Sequence, residues 1–384
     1  MIRRICKWVI FKWLYPVVYY IGCFRRVHTD RIIFVENHAE QLSDNFLLLF
    51  DMVRQKDYDV RIHYLRVASS GWGSIILRTI PLIWDMAVAH CIFISESNSV
   101  FGAFHLRKGT KLIQIWHACG AFKKWGYSVA DKSFGDDKKE LDTFSGHRNY
   151  SLVSVSGQAV CWAYEEAFGL QDNPGVVRPL GVSRTDVYFS KARREAAFKS
   201  LEQFGFPIKG RKIVLYAPTF RGDIEHAKAP DQLALQIFDQ LREQCVLFIK
   251  NHPFVKERMV IPEQYQDFCV EITDELSIED LLITADICVT DYSSVVFEYS
   301  LLQKPILFFA YDLEEYYDER GFYYPYESFV PGPIVKTTEE LTGALSHIEQ
   351  FDWSRLSDFC KQYMSGCDGH STKRILEYAL EDAF

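Results

Sequence analysis

Short apolar runs rich in β-branched and aromatic residues alternate along the chain with longer stretches of helical periodicity. This alternation is typical of parallel sheets covered by helices on both faces. The predicted strands are 31–35, 60–65, 91–95, 112–116, 151–155, 212–217, 246–250, 287–289 and 305–309. The predicted helices are 43–54, 191–204, 231–243, 278–285, 293–303 and a C-terminal helix from 372 to about 380.

These elements form two groups of alternating strands and helices, so the pattern predicts an α/β chain with two doubly wound parallel sheets. At 384 residues the chain has room for two domains, each with its own core. A turn cluster, Gly-Phe-Pro-Ile-Lys-Gly, follows the polar helix 191–204 and is typical of a linker. We therefore expect an N-terminal domain over 1–190 and a C-terminal domain over 191–384, with a final helix long enough to pack back on the N-terminal domain.

The N-terminus is largely apolar over 5–24 and follows two arginines. Lys7 and Lys12 interrupt the run, Pro16 lies in its middle, and no cleavage site follows, which argues against a signal peptide or a membrane span. Its tryptophans and tyrosines favour the headgroup level of a bilayer. An interfacial helix, a core helix and a span remain open, and the apolar segment 71–90 is either core or a second membrane-facing element.

Composition narrows the function classes. With 48% apolar, 15% aromatic and 24% charged residues, the chain is neither disordered nor fibrous. Its net charge of −8 supplies no global positive field, and no nucleic-acid-binding motif is present, so nucleic acid is not an expected partner. The ten cysteines are scattered without a C-x-x-C pair, which indicates reduced thiols in a cytosolic compartment.

The segment 114–126 begins on a predicted strand and ends in small residues and glycines. Ligands bind at the carboxyl ends of strands in open α/β sheets, which makes His117 a candidate catalytic residue. An imidazole titrates near neutrality and can accept a proton from a hydroxyl nucleophile. Gly120 would let an acceptor approach the backbone, and Lys123 and Lys124 would hold its phosphate oxygens. A buried structural histidine beside a basic helix start is the alternative.

His252 occupies the same kind of position in the second half, where the apolar run 246–249 ends in Asn-His-Pro. We expect the two strand-end histidines, one in each domain, to face each other across a cleft between the domains. For His252 alone a structural role is an equal alternative, but the pairing favours a function for both.

Further polar residues follow strands of the second predicted sheet. The candidates for donor binding are Thr219, Arg221, Ser293, Ser294, Glu298 and Arg320. Ser293 and Ser294 begin a predicted helix, whose unpaired N–H groups suit a diphosphate without a metal. Glu298 lies one turn later, where it would accept hydrogen bonds from ribose hydroxyls, and Arg320 is a natural bidentate anion ligand. A plain helix cap and an exposed surface arginine are the alternatives.

The sequence predicts no metal and no cofactor. There is no cluster with metal-ligand spacing, no P-loop, no dinucleotide fingerprint and no Gly-x-Ser-x-Gly elbow. Asp57 and Asp59 have the Asp-x-Asp form used by some nucleotide-sugar enzymes, but a lone match in a turn is a weak signal.

Six ordered motifs together resemble the CDP-glycerol:poly(glycerophosphate) glycerophosphotransferase family, the teichoic acid primase and polymerase type. They are Trp-His-Ala-Cys-Gly-Ala-Phe-Lys-Lys (116–124), Gly-Val-Ser-Arg-Thr-Asp (181–186), Tyr-Ala-Pro-Thr-Phe-Arg (216–221), Asn-His-Pro (251–253), Thr-Asp-Tyr-Ser-Ser (290–294) and Arg-Gly-Phe-Tyr (320–323). One departure is that many members read Trp-His-Gly where this chain reads Trp-His-Ala-Cys-Gly.

The resemblance implies a GT-B-like fold of two facing Rossmann-like domains, with acceptor binding and membrane association in the first and CDP-donor binding in the second. It also implies essential roles for His117 and His252, donor-phosphate binding by Arg320 and the Tyr-Ser-Ser hydroxyls, and peripheral attachment to the cytoplasmic face of the membrane. The implied donors are CDP-glycerol or CDP-ribitol. The implied acceptor is an undecaprenyl-diphosphate-linked saccharide or a growing teichoic acid.

The resulting hypothesis is that His117 deprotonates an acceptor hydroxyl, which attacks the β-phosphate of a CDP-polyol and displaces CMP. Two alternatives stay open. One is a sugar-nucleotide glycosyltransferase of the same fold, active in cell-surface polysaccharide synthesis, and the other is a catalytically silent scaffold at the membrane.

Overall fold

The structure is a computed structural model that describes residues 2–67, 71–132, 135, 137–222 and 226–381, apart from the side chains of 2, 3 and 317–320. Two compact units are present. Unit 1 consists of Met1–Ala118, Trp125–Asp186 and Ser365–Phe384, and unit 2 of Cys119–Lys124 and Val187–Met364. The main boundary between the units thus lies between Asp186 and Val187. Two segments are exceptions: Cys119–Lys124 belongs to unit 2, and Ser365–Phe384 belongs to unit 1.

Each unit is built on a six-stranded parallel sheet. The strands of unit 1 are β1 His28–Glu36, β2 Asp59–Tyr64, β3 Ala89–Ile94, β4 Lys111–Gln114, β5 Leu152–Ser154 and β6 Val177–Arg178, in the order β2-β1-β3-β4-β5-β6. The strands of unit 2 are β7 Lys212–Tyr216, β8 Cys245–Ile249, β9 Cys269–Glu271, β10 Ile287–Thr290, β11 Ile306–Phe309 and β12 Ile334–Val335, in the order β12-β11-β10-β7-β8-β9.

Helices cover the sheets. The described α-helices are α1 Ile2–Val9, α2 Tyr15–Gly22, α3 Asp44–Arg54, α4 Trp72–Met86, α5 Lys138–Thr143, α6 Cys161–Phe168, α7 Lys191–Phe204, α8 Leu235–Phe238, α9 Ile278–Thr284, α10 Val295–Leu301, α11 Leu313–Arg320, α12 Tyr326–Phe329, α13 Thr338–Ser346, α14 Trp353–Tyr363 and α15 Ser371–Leu380. A π-helical turn, Ile10–Leu14, joins α1 to α2. The C-terminal α15 packs into the core of unit 1, where Ile375 is fully buried with Ile32 and Phe34 of β1.

The prediction of two doubly wound parallel sheets is confirmed. Each predicted strand overlaps an observed one, whereas β6, β9 and β12 were not predicted. The predicted helix 231–243 is wrong in its first part, because the helical residues are Leu235–Phe238 followed by a 3-10 turn, Asp239–Leu241. Leu233 and Leu235 are both buried in the unit 2 core. Leu233 therefore fits the apolar pattern of the helix although it precedes the first helical residue.

The strand order reverses once in each sheet, between β1 and β3 in unit 1 and between β7 and β10 in unit 2. At such a switch point the connecting helices leave to opposite faces of the sheet and a crevice opens at the carboxyl ends of the strands. The topology alone therefore marks one ligand-binding edge in each unit.

The N-terminal helix, formed by α1, the π-helical turn and α2, has one buried and one exposed face. Tyr15 and Tyr19 are buried, and the Tyr19 hydroxyl accepts the backbone N–H of Arg107 at 2.8 Å. Trp8 and Trp13 are 46% and 61% exposed. The buried face agrees with the core interpretation, and the interfacial interpretation stays a prediction for the exposed face. No helix among the described residues combines the length and apolar character needed to cross a bilayer.

The two lysines of this helix turn toward the protein. Lys7 forms an ion pair with Glu140 of α5, and the Lys12 ammonium donates to the carbonyl of Thr143 at 2.6 Å. Both ammonium groups lie over the ring of Phe144, at 4.6 and 5.6 Å. The exposed face of the N-terminal helix carries Trp8, Val9 and Trp13, together with the exposed Arg4.

The apolar segment 71–90 is core in part, and its membrane-facing role stays a prediction. Within α4, Leu82 and Ile83 are fully buried, whereas Leu77 is 73% exposed. α2 packs against α4, and the Arg25 guanidinium lies 4.2 Å from the Trp84 ring. The exposed apolar residues of α1, α2 and α4 consequently belong to neighbouring elements of unit 1.

Candidate active site

In unit 1, polar residues follow the strands that flank the switch point. His38 follows β1, Glu96 follows β3, and His117 follows β4, the next strand of the sheet. The His38 Nε2 lies 3.1 Å from a Glu96 carboxylate oxygen, so the ends of β1 and β3 meet across the switch point. His117 is placed by the structure at the ligand-binding edge that the sequence predicted for it.

A backbone carbonyl holds the imidazole of His117 in one tautomer. Its Nδ1 lies 3.1 Å from the carbonyl oxygen of Ser95. A carbonyl oxygen can only accept, so Nδ1 carries the proton and Nε2 of the neutral ring keeps its lone pair. His117 also retains solvent-exposed surface. The ring is therefore arranged as a proton acceptor.

The pKa of His117 lies below its usual value, chiefly because the surrounding protein desolvates the imidazolium. The Ser95 carbonyl and the Glu96 carboxylate favour the charged ring and oppose this lowering, while the positive charge of Arg184 adds to it. A general base must be unprotonated to act. The lowered pKa keeps His117 neutral near pH 7.

The residues after His117 belong to unit 2. Gly120 has a φ of +64°, and a Cβ at this position would come within 2.1 Å of the Phe297 ring. Phe122 stacks on Tyr326 with ring centroids 5.8 Å apart. The close approach at Gly120 is therefore made by a protein side chain, and acceptor binding by Gly120 stays a prediction.

Lys123 and Lys124 are paired with the segment that follows α11. The backbone N–H of Lys124 donates to the carbonyl of Gly321 at 3.2 Å, and Lys123 forms an antiparallel bridge with Phe322. The Lys123 ammonium donates to the Tyr316 hydroxyl at 3.0 Å. Acceptor binding by the two lysines likewise stays a prediction.

His252 is held in the opposite tautomer to His117. The backbone N–H of Phe254 donates to its Nδ1 at 3.2 Å, so Nδ1 keeps its lone pair and Nε2 of the neutral ring carries the proton. The rings of Phe220 and Phe254 flank the imidazole at 4.9 and 4.6 Å. Desolvation, aided by the charge of Lys123, lowers the pKa of His252. The neutral ring therefore presents a hydrogen-bond donor at Nε2.

At the switch point of unit 2, Asp291 joins the ends of β7 and β10. One carboxylate oxygen accepts the backbone N–H of Thr219 at 2.8 Å and that of Tyr292 at 2.6 Å. The Thr219 hydroxyl is buried and, within the described part of the chain, has no hydrogen-bond partner. A buried hydroxyl without a partner is costly unless a ligand supplies one. Donor binding by Thr219 stays a prediction, for which this hydroxyl offers a donor.

Arg221 is engaged by two carboxylates. Its Nη1 lies 3.0 Å from Asp291, and its Nε and Nη2 donate to the carboxylate of Asp312 at 2.6 and 3.0 Å. The guanidinium also lies 5.2 Å from the centroid of the Tyr292 ring. A donor phosphate would meet an arginine whose charge is already balanced, so donor binding by Arg221 stays a prediction beside this structural role.

The other donor-binding candidates lie on or next to α10 and α11. Ser293 and Ser294 are partly exposed between β10 and α10, and the Ser293 hydroxyl accepts the backbone N–H of Val295 at 3.3 Å. Glu298 is buried within α10, at 6% exposure. Arg320 ends α11, and its side chain lies outside the described residues. Donor binding by these four residues stays a prediction.

Two acidic residues were missed by sequence reasoning. Asp291 lies inside the Thr-Asp-Tyr-Ser-Ser motif but received no role, although a carboxylate directly after a buried strand was an available signal. Asp312 lies in no motif. Among the described residues, no three His, Cys, Asp or Glu side chains are grouped to hold a metal ion, and Asp59 of the Asp-x-Asp match pairs with Arg31 at 2.7 Å.

Comparison with known proteins shows which family of enzymes the chain is similar to. At 34% identity the chain is similar to the teichoic acid ribitol-phosphate primase of Bacillus spizizenii, over 92% of this chain and 91% of that protein. It is 33% identical to the ribitol-phosphate polymerase TarL of Staphylococcus aureus, over 90% of this chain but 62% of that protein. It thus spans nearly the whole primase and less than two thirds of the polymerase.

The wall teichoic acid polymerase TagF has a similar fold, with a TM-score of 0.75 at 19% identity over 100% of this chain and 97% of that one. A UDP-GlcNAc 2-epimerase from Neisseria meningitidis has a TM-score of 0.53 at 11% identity, over 92% of this chain and 100% of that one. The predicted GT-B-like fold class is confirmed. The family model described as CDP-Glycerol:Poly(glycerophosphate) glycerophosphotransferase matches residues 17–381, and the chain belongs to this family of CDP-polyol phosphotransferases.

Proposed function

We propose that this protein transfers glycerol-phosphate or ribitol-phosphate from the corresponding CDP-polyol to a hydroxyl of a lipid-linked teichoic acid acceptor, and releases CMP. Membership of the family and the similarity to primases and polymerases support the reaction class. The observation that carries the assignment of roles is the pair of opposite tautomers at His117 and His252.

In the proposed reaction, His117 Nε2 takes the proton of the acceptor hydroxyl as its oxygen attacks the β-phosphorus of the CDP-polyol. A new P–O bond forms to the acceptor, the bond from that phosphorus to the bridging oxygen breaks, and CMP leaves with the electron pair. Proton removal by a positioned base is typically worth about 10²–10⁴-fold in rate. Attack by the hydroxyl and departure of a nucleotide need no covalent enzyme intermediate.

On the donor side, we assign to His252 the donation of its Nε2–H to a phosphoryl oxygen on which charge develops. The hydroxyl of Thr219, which has no partner among the described residues, and the partly exposed hydroxyls of Ser293 and Ser294 supply further donors. Arg320 is assigned to the diphosphate. Asp291 acts indirectly, because its carboxylate fixes the backbone of Thr219 and Tyr292.

The test of the reaction is a donor screen with a lipid-linked acceptor. CDP-ribitol, CDP-glycerol and a UDP-sugar are offered separately, and released nucleotide and elongated acceptor are both measured. CMP release with one polyol phosphate added per CMP supports the proposal, and the number of units added separates a primase from a polymerase. Release of UDP would show that the protein is a glycosyltransferase instead. No turnover with any donor would favour the alternative of a catalytically silent scaffold.

We also propose peripheral attachment at the cytoplasmic face of the membrane, through the exposed apolar side chains of the N-terminal helix and α4. Trp13 and Leu77 are 61% and 73% exposed, and tryptophan favours the interfacial region. Lys7 and Lys12 are engaged by the protein, so apolar insertion is expected to contribute more than attraction to anionic lipid.

Sedimentation with vesicles tests this attachment. Replacing Trp8 and Trp13 together by serine is expected to lower the bound fraction strongly, and raising the salt concentration is expected to change wild-type binding little. Trp162→Ser is the matched control, since Trp162 is 43% exposed on α6 of the same unit. Binding that disappears in high salt, or that the control lowers equally, would refute apolar insertion.

A further inference from the structure

Trp116, the residue before His117, has a backbone conformation that is rare for its type. Its φ is +55°, in the left-handed region that a bulky aromatic residue seldom adopts. The residue lies between the end of β4 and His117, so its conformation sets the direction in which the histidine leaves the sheet. Such strained residues persist only where their surroundings hold them.

A buried amide satisfies the backbone of Trp116. The side-chain oxygen of Gln114 accepts the Trp116 N–H at 2.9 Å, and Gln114, the last residue of β4, is fully buried. Because a backbone N–H can only donate, the amide oxygen must face Trp116 and the amide nitrogen must face away. That nitrogen donates to the Tyr150 hydroxyl at 3.2 Å.

The chain of hydrogen bonds ends on a buried imidazole. The Tyr150 hydroxyl lies 3.0 Å from Nδ1 of His147, and burial lowers the pKa of His147 to about 4. The Tyr150 oxygen accepts from Gln114, and a second hydrogen bond joins the same hydroxyl to the neutral His147. The amide of Gln114 thus has one possible orientation, with its oxygen on the Trp116 N–H and its nitrogen on the Tyr150 hydroxyl.

Aromatic packing acts on the same residue. The Phe168 ring stacks on His147 with centroids 4.6 Å apart and meets the Trp116 ring edge-on at 5.1 Å. His147 is therefore linked to Trp116 in two ways, through the hydrogen bonds of Tyr150 and Gln114 and through the ring of Phe168. These contacts lie entirely within unit 1.

We propose that Gln114 is a positioning residue for His117, which it directs by holding Trp116 in the left-handed conformation, with Tyr150 and His147 fixing the amide. This inference rests on the proposed function, in which His117 is the general base. Without the bond from Gln114, the Trp116 backbone relaxes toward an ordinary conformation and His117 Nε2 moves away from the acceptor hydroxyl. A misplacement of about 1 Å at a reacting group is enough for roughly a 10²-fold loss of rate.

Two substitutions at Gln114 separate positioning from general stability. Gln114→Met keeps the length of the side chain but removes the acceptor, and we expect kcat to fall by about 10²-fold with an unchanged KM for the CDP-polyol. Gln114→Glu keeps an oxygen facing the Trp116 N–H in either protonation state, and we expect it to restore most of kcat.

Thr110→Val is the matched control. Thr110 precedes the same strand at its other end, is 8% exposed, and donates to the Ala89 carbonyl at 2.8 Å. This variant loses one buried hydrogen bond from the same sheet without touching Trp116, so kcat is expected to stay at the wild-type value. An equal loss of kcat in Thr110→Val would show a merely structural effect and overturn the proposal.

A second measurement does not depend on turnover. Diethyl pyrocarbonate modifies neutral histidines, and peptide mass spectrometry gives the rate at His117 and at His252 separately. We expect Gln114→Met to change the rate at His117 and not at His252, with Thr110→Val changing neither. If wild type transfers no polyol phosphate, the proposed function fails while these rates still test the positioning.

If Gln114→Met does not fold, Tyr150→Phe takes its place, since it removes only the hydroxyl that orients the amide. The expected result is the same in kind and smaller in size: a lower kcat, an unchanged donor KM and an altered modification rate at His117. A folded Gln114→Met or Tyr150→Phe variant with wild-type kcat and a wild-type modification rate at His117 would overturn the proposal.

Discussion

His117 and His252 each follow a parallel strand at its carboxyl end, yet the backbone fixes their rings in opposite states. A carbonyl oxygen accepts from Nδ1 of His117, whereas a peptide N–H donates to Nδ1 of His252. In the neutral rings, Nε2 therefore carries a lone pair in His117 and a proton in His252. The two roles proposed for these histidines, base and hydrogen-bond donor, therefore differ because the neighbouring peptide groups differ.

The supports of the two regions also differ in charge. Trp116, beside His117, is held by a neutral amide, a phenol and an imidazole. The strand ends of unit 2 are joined by Arg221 between the carboxylates of Asp291 and Asp312. The groups that hold Trp116 are thus neutral, whereas those that join the strand ends of unit 2 are charged.

The largest expected effect is the loss of the base. At position 117 neither Asn nor Gln supplies a titratable lone pair, so His117→Asn and His117→Gln are both expected to lower kcat by about 10³-fold. Steady-state kinetics with saturating acceptor and donor, on variants shown to be folded by circular dichroism, measure this. Turnover near the wild-type value in either variant would remove His117 from the chemistry.

At position 252 the same two substitutions are expected to differ. The amide nitrogen of Gln reaches the place of the imidazole Nε2–H, whereas that of Asn matches Nδ1. His252→Asn is therefore expected to lower kcat by about 10²-fold, the usual loss of one oxyanion donor, with His252→Gln closer to wild type. Equal losses in the two variants, or a better Asn variant, would contradict the tautomer assigned to His252.

A smaller effect, on stability, tests the ionic support. Asp291→Asn leaves Arg221 with Asp312 alone and removes charge from a buried carboxylate that accepts two backbone N–H groups. We expect unit 2 to lose about 1–3 kcal/mol of stability, seen as a lower Tm in calorimetry. Asp274→Asn is the control, because Asp274 is a 73% exposed partner of Arg258 and surface pairs contribute little. Equal Tm values for the two variants would show that the network is not stabilising.

These comparisons show what the sequence revealed and what it did not. The central strands were predicted because each is a buried apolar run long enough to be recognised. The strands β6, β9 and β12 were missed because they lie at sheet edges and contain two or three residues. Such strands are completed by their neighbours and carry too few positions for a period to appear.

Those residues of the candidate site that follow recognisable strands could be predicted from the sequence. His117, Thr219 and His252 follow predicted strands directly, so topology alone brought them to the ligand-binding edges. The role of Gln114 depends on Tyr150, 36 positions away, and the need for glycine at position 120 depends on the ring of Phe297. No local pattern records these partners, because they meet only in the tertiary structure.

The smallest expected effect concerns pH, and it follows from the charges around His117. Glu96 favours the imidazolium and Arg184 disfavours it, while desolvation lowers the pKa of His117 overall. The base works when neutral, so kcat/KM is expected to fall as the pH drops, with a midpoint below the ordinary histidine value of about 6.5.

Glu96→Gln removes a carboxylate that raises the pKa of His117, so the midpoint should move to lower pH. Arg184→Gln removes a cation that lowers it, so the midpoint should move to higher pH. Glu202→Gln, at an exposed position of α7 in unit 2, is expected to leave the profile unchanged. Shifts of the same sign at positions 96 and 184 would mean that the acidic limb reports a group other than His117.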